Sequence, residues 1–229
     1  MKKFLGALCG FAMLAGLIPA RAADMHKMDG RLNAAADVIQ EIMSTPDRGI
    51  PEGIVEKARC VVVVPHYKKG AFVIGAEYGQ GVATCRTGHG WSAPVFVKLE
   101  GGSFGWQIGG QSTDLVLIAM NQNGLESALK SKVKLGADAS AAAGPVGRNA
   151  EASTDIVMNA QFLTYSRAKG LFAGLDLSGT ALSENHDDMD AEYGNGDFEA
   201  ILHHDTAVPP NAQHFVSTVA RYFVVAREH

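Results

Sequence analysis

The sequence predicts a single α+β domain, with a meandering, largely antiparallel β-sheet carried between N-terminal and C-terminal helices. Three observations predict it. Apolar residues near the N-terminus recur at helical spacing. A central series of short apolar runs is broken by glycines. The last third returns to short helical patterns. The 26 glycines among 229 residues are scattered between apolar runs, the distribution of tight turns and not of a low-complexity tract.

The elements follow in order. Met25 to Met43 reads as a helix, because Leu32, Ala35, Ala36, Ile39 and Met43 fall three or four apart. Ser44-Thr45-Pro46 stops it. A short helical turn is expected over Ile50 to Val55, with Pro51 as its first residue. Six strands are then expected: Cys60–Val64 ended by Pro65, Ala71–Tyr78, and Val82–Arg86 after a Gly79-Gln80-Gly81 turn. Ala93–Leu99 is closed by Gly101-Gly102, an alternating stretch runs through Phe104, Trp106 and Ile108, and Asp114–Met120 is the sixth. Asn121 caps a short helix to Lys130, with Leu125 and Leu129 on one face. Val133 to Ala143 is ambiguous, and Gly144 to Gly147 is a turn. Ser153–Tyr165 and Lys169–Leu177 read as strands, Ser183–Tyr193 as a polar helix, and Phe198–His203 as a short helix or turn. Val208-Pro209-Pro210 opens a last helix to about Glu228.

The first residues read as a secretory leader. Lys2 and Lys3 precede an apolar run from Phe4 to Ile18, Pro19 breaks it, and Ala20-Arg21-Ala22 is a cleavage pattern. The expected division is a Sec-type signal peptide over residues 1–22, cleaved after Ala22, and a domain over residues 23–229. The expected location is the periplasm, peripheral at a membrane. Cleavage takes away Lys2, Lys3 and Arg21 and no acid. That leaves 17 Lys and Arg against 24 Asp and Glu, so the formal charge moves from −4 to −7. Such a charge argues against nucleic acid as a partner. Cys60 and Cys85 would remain, at the ends of candidate strands. They pair across the sheet or stand as two buried thiols; the spacing leaves both open.

No catalytic signature is present. Gly88-His89-Gly90-Trp91-Ser92 lacks the order of a nucleophile elbow, and no glycine cluster forms a nucleotide-binding loop. The histidines at 186, 203 and 204 lack metal-ligand spacing. No enzyme activity, metal or cofactor is expected. Lys68, Lys69 and Arg86 form one basic group, and Arg148, Arg167 and Lys169 another. Either can grip a lipid phosphate or serve as solvated turns. Phe72, Trp91, Phe96, Phe104 and Trp106 line an acyl pocket or fill the core of a small sheet.

Several runs carry a resemblance. Ile50-Pro51-Glu52-Gly53-Ile54-Val55-Glu56-Lys57-Ala58, followed by Cys60 to Val64, resembles the opening of the SYLF domain family. Lys69 to Gly75, Gly79 to Val82, Trp91 to Pro94 and Gly105 to Gly109 continue the match. Leu135 to Asp138, Ala142 to Arg148 and Tyr165 to Gly174 are its most specific stretches. The resemblance covers about residues 30 to 225. It implies a non-catalytic lipid-binding domain whose partner is a phospholipid or membrane surface. Lys68, Lys69, Arg148, Arg167 and Lys169 are the headgroup candidates, and Leu32, Ile39, Met43, Phe72, Trp91 and Trp106 the apolar ones. Actin, a partner of some fungal members, is not expected for an exported chain. The alternative is a structural or interaction domain of the periplasm or outer membrane that binds an envelope protein.

Overall fold

The computed structural model describes residues 20–45, 49–147, 159–168, 171–174, 177–194, 196–203 and 206–224. The first helix, α1 (Ala20–Ser44), buries Met28, Leu32, Ala35, Ala36, Ile39 and Ile42, a single stripe at helical spacing. The hydroxyls of Ser44 and Thr45 donate to the Glu41 carbonyl as the helix ends. A short helix, α2 (Glu52–Lys57), follows Pro51.

The expected strands before and after residue 90 merge into two long ones. β1 is Cys60–Thr87 and β3 is Val95–Ala119; the two-residue β2 (Gly90–Trp91) closes a hairpin on the end of β1. β1 and β3 form an antiparallel ribbon from the Cys60–Ala119 pair to the Ala83–Val95 pair. Pro65 does not end a strand. It sits in a bulge between Val64 and Tyr67, where His66 takes φ 53° and its N–H donates to Asp114. Proline lacks a ladder donor, so within a sheet it is tolerated at such an irregularity.

The Gly79-Gln80-Gly81 turn is likewise corrected. These residues lie inside β1, where the ribbon doubles back against its own beginning. A Cβ on Gly81 would stand 2.3 Å from the Val63 carbonyl oxygen, and one on Gly79 would stand 2.6 Å from Val64 Cγ1. Here glycine serves close approach of backbone to backbone and not chain reversal. The ends of β1 are joined by the Cys60–Cys85 disulfide. Beside it, the Arg86 N–H donates to the Arg59 carbonyl at 2.8 Å.

The rest of the sheet grows from β3. Its end pairs with β6 (Phe162–Ala168), which pairs with β7 (Leu171–Gly174) and, in parallel, with β5 (Ala141–Ala143). Its beginning pairs with β8 (Ala181–Glu184), which also takes β4 (Val133–Lys134). The sheet is largely antiparallel and curled, and the predicted α+β class holds. Ser183 and Glu184 belong to β8 and not to the helix expected there. Helix α4 (His186–Tyr193) begins only after the strand has paired with Val97 to Glu100. Helix α3 (Gln122–Ser131) is capped as expected, the Asn121 side chain accepting from the Gly124 N–H. Helix α5 spans Phe198–His203. A 3₁₀ turn at Pro210–Ala212 leads into α6 (Gln213–Tyr222), which ends before the expected Glu228.

One core unites these layers. Val61 to Val64 are fully buried, as a β-branched run covered on both faces must be. Phe96, Phe162, Tyr165, Phe215 and Phe223 join them. Helix α1 packs on β1 and α6. Gly144 faces the Tyr165 ring so closely that a Cβ would stand 2.2 Å from it.

Two outcomes are expected from the doubled ribbon. Reducing Cys60–Cys85, which closes a loop of 25 residues, lowers stability by about 3 kcal/mol, read as the shift in urea midpoint with and without a dithiol. Gly81→Ala costs about 3 kcal/mol in the same assay, whereas Ala at Gly53, which has open space around it, costs under about 1 kcal/mol.

Candidate functional site

The polar candidates divide sharply by partner. Lys69 pairs with Glu77, a carboxylate only 7% exposed, at 2.5 Å. The Tyr67 hydroxyl donates to the same carboxylate at 2.7 Å, and the Thr180 hydroxyl at 3.3 Å. Burial pushes the Glu77 carboxyl up, but the bonds from Lys69, Tyr67 and Thr180 outweigh it and hold the group below its usual range. Burial, helped by Glu77, drives the Tyr67 phenol well above its own. Arg167 pairs with Glu41 of α1 and stands 3.6 Å from Asp114, so it ties α1 to the sheet. Lys68 is exposed. It lines a groove of about 370 Å³ with Lys27, Arg31, His66 and the half-exposed Tyr78. Arg31 in that groove is engaged with Asp188 and Gln80. Arg148 and Lys169 lie outside the described residues.

The apolar candidates are also separated. Leu32 and Ile39 are 1% and 0% exposed, and Met43 packs against the same core. The side chains of Phe72 and Trp106 lie outside the described part of the chain. Trp91 is different: it is buried and lines a cleft.

That cleft, of about 750 Å³, opens where the ends of β1 meet α5 and α6. Arg59, Arg86, Thr87, Gln122 and His203 line it together with the apolar Trp91, Leu202, Phe223 and Val224. Trp91 and Phe223 meet edge to face at 5.9 Å. Val224 is 58% exposed. The Arg86 guanidinium stacks over Trp91 at 4.7 Å and donates to the carbonyls of Ala58 (2.7 Å) and Val55 (3.1 Å) at the end of α2. Burial first, and then the like charge of Arg59, pull its pKa below the usual guanidinium range. Among the described residues neither arginine has a carboxylate partner, and no acid lines the cleft. Arg59 was not among the sequence candidates. The available signal was its position: it precedes Cys60 as Arg86 follows Cys85, so pairing the cysteines brings the two arginines together.

Residues 100–222 match the family described as "Ysc84: Las17-binding protein actin regulator". The chain belongs to this family. The SYLF resemblance is thereby confirmed, and the family is one of non-catalytic binding domains, in keeping with the absence of an enzyme signature. Relatives include the SH3 domain-containing YSC84-like protein 1 of Xenopus laevis, 33% identical over 173 residues, covering 72% of this chain and 51% of the relative. The Homo sapiens protein of the same name is 34% identical over 172 residues, covering 73% and 50%. The LAS seventeen-binding protein 3 of Saccharomyces cerevisiae is 33% identical over 153 residues, covering 65% and 33%. The chain thus spans about half the length, or less, of these curated relatives.

Two expectations are overturned here. The family description names an actin regulator, which reverses the exclusion of actin as a partner. The family and its animal and yeast members also reverse the expected periplasmic location with a signal peptide cleaved after Ala22. Residues 1–19 lie outside the described residues, while α1 begins at Ala20 and runs unbroken through the Ala22–Ala23 junction.

The Glu77 cluster yields a stability prediction. A carboxyl held below its unfolded value stabilises the fold above that value and loses the contribution as pH falls through the folded one. Acid unfolding of the parent chain therefore includes a Glu77 component that Glu77→Gln lacks. At neutral pH, Glu77→Gln costs about 1–3 kcal/mol, from Tyr67 and Lys69 losing their charged acceptor. Chemical denaturation at pH 7 and pH 4 measures both effects.

Proposed function

We propose that the domain is a non-catalytic lipid-binding module that associates with phospholipid surfaces. Membership in the SYLF family supports a general lipid- or membrane-associated role. The observation that carries the reading is the cleft, where cations without acidic partners stand beside an apolar wall reaching the surface at Val224. That pairing suits an amphiphile: the guanidinium groups give charge-assisted hydrogen bonds to an anion, and the wall shelters hydrocarbon. Lys68, in the groove under α1, is a second cation that a lipid surface could meet. In this reading the cations bonded to Glu77 and Asp114 hold the fold, and those at the cleft are left for ligand.

The relatives' printed names favour one other reading, a protein-binding module, since they speak of Las17 binding. Vesicle co-sedimentation of the full chain separates the two. Retention on anionic phospholipid vesicles at low salt is expected, with retention falling by several-fold at moderate salt because exposed Arg59 and Lys68 contribute screened charge. Folded protein that stays in the supernatant with zwitterionic and anionic vesicles alike, at either salt, overturns the lipid reading and favours protein binding.

A further inference from the structure

The geometry of the cleft goes further than a general lipid contact. Arg59 and Arg86 immediately flank the bridged cysteines, whose Cα atoms are 4.0 Å apart, and their backbones are hydrogen-bonded to each other at 2.8 Å. Covalent and backbone ties therefore fix two cationic residues side by side. Arg86 is held in place by two carbonyls and an aromatic face. Those carbonyls use two of the five N–H donors of a guanidinium, which leaves the others for a ligand. Arg59 is exposed and makes no ion pair among the described residues.

Elsewhere the fold neutralises its half-buried cations with acids: Arg31 by Asp188, Lys69 by Glu77, Arg167 by Glu41 and Asp114. At the cleft it brings two like charges together and, among the described residues, lines them with no acid. Two neighbouring guanidiniums repel, and the ligand that relieves the repulsion best is a compact anion of charge near two with several acceptor oxygens. A phosphate monoester meets that description. A phosphodiester headgroup carries one negative charge and fewer free oxygens. Next to the arginines, Trp91, Phe223, Leu202 and exposed Val224 give the lining an apolar stretch, alongside the polar Thr87, Gln122 and His203. The volume of about 750 Å³ falls within the range of small-ligand sites.

We infer that Arg59 and Arg86 form a two-arginine clamp for the phosphomonoester headgroup of a lipid, whose hydrocarbon lies against Trp91, Phe223 and Val224. This inference rests on the lipid reading and names the ligand class of the same cleft. It assigns Arg59 the specificity role, as the accessible half of the clamp, and Arg86 the anchored half.

The test compares vesicles of phosphatidylcholine containing phosphatidic acid with vesicles in which phosphatidylglycerol matches the surface charge. A titration with sn-glycerol 3-phosphate accompanies them, and all arms use the full chain and its Arg59→Gln variant. Arg59 is exposed, so the variant keeps its fold, which thermal unfolding checks; Arg86→Gln would also release α2 and is the secondary variant. The parent chain is expected to bind the phosphatidic acid vesicles about tenfold more tightly than the charge-matched ones, and Arg59→Gln to remove that preference. Vesicle binding without preference for the monoester, or a preference that Arg59→Gln leaves intact, overturns the clamp while the lipid reading stands. Glycerol 3-phosphate binding that depends on Arg59, with no vesicle retained, upholds the phosphomonoester clamp and overturns its lipid source. Failure to bind either probe overturns both.

Discussion

The fold depends on one close crossing, where the second half of β1 passes over the first. At Gly81 the backbone comes so near the Val63 carbonyl that no side chain fits. A 28-residue strand lying flat would expose both faces of its valine-rich start to water. Doubling the ribbon back covers one face with its own other half, and α1 covers more. The crossing explains why glycine stands at 79 and 81, why β1 is bridged to itself, and why β3 must be nearly as long as its partner. Everything added later, β6 with β7 and β8 with β4, extends an edge that this ribbon creates.

The same closure sorts the positive charges. Cations inside the curl lie near strands and helices that carry carboxylates, and each finds one. Lys69 serves Glu77 at the bend, and Arg167 serves Glu41 and Asp114 where α1 crosses the sheet. A buried carboxylate without such a partner would lose several kcal/mol of solvation, about the size of a domain's whole margin of stability. Arg59 and Arg86 arise differently. They are carried by the strand ends that the disulfide joins, on a rim that no acid lines among the described residues. A chain of formal charge −4 thereby presents a local positive site, which net charge alone argued against.

Much of the fold was legible because it rests on local chemistry. The α1 stripe, the Asn121 cap and the boundaries of α5 follow from spacing and side-chain hydrogen bonding within a few residues. The long strands were not legible, since Pro65 and Gly79 to Gly81 carry the same local signal in a bulge or a crossing as in a turn. Only the position of a distant partner decides between them: Val64 for Gly79, Val63 for Gly81 and Asp114 for the bulge at Pro65. Ser183 and Glu184 were misplaced for a related reason: polar residues beside a helix read as helix until their pairing with Val97 and Lys98 is known. At the cleft, Trp91 was legible as a large apolar side chain near glycines. Arg59 became visible only through the cysteine pairing, because its neighbour in space is 27 positions away in sequence.

The energetics of α1 bear on which face would meet lipid in the proposed reading. An apolar helix near the N-terminus invites the idea that it inserts into a bilayer. Here its apolar stripe is already spent: Met28, Leu32, Ile39 and Ile42 are each at most 1% exposed. Peeling them away would forfeit roughly 6–12 kcal/mol, at about 1.5–3 kcal/mol per side chain. A bilayer could offset the transfer of those side chains, but not the facing surface of β1 and α6 that would open to water. The Arg31–Asp188 and Arg167–Glu41 pairs, which cross from α1 to other elements, would break as well. The cleft asks for none of this. Its lining already reaches solvent at Val224, and its arginines carry no ion pair among the described residues. A ligand that enters it gains contacts without first dismantling the core, and for that reason the proposed lipid site is the rim at the ends of β1 rather than the N-terminal helix.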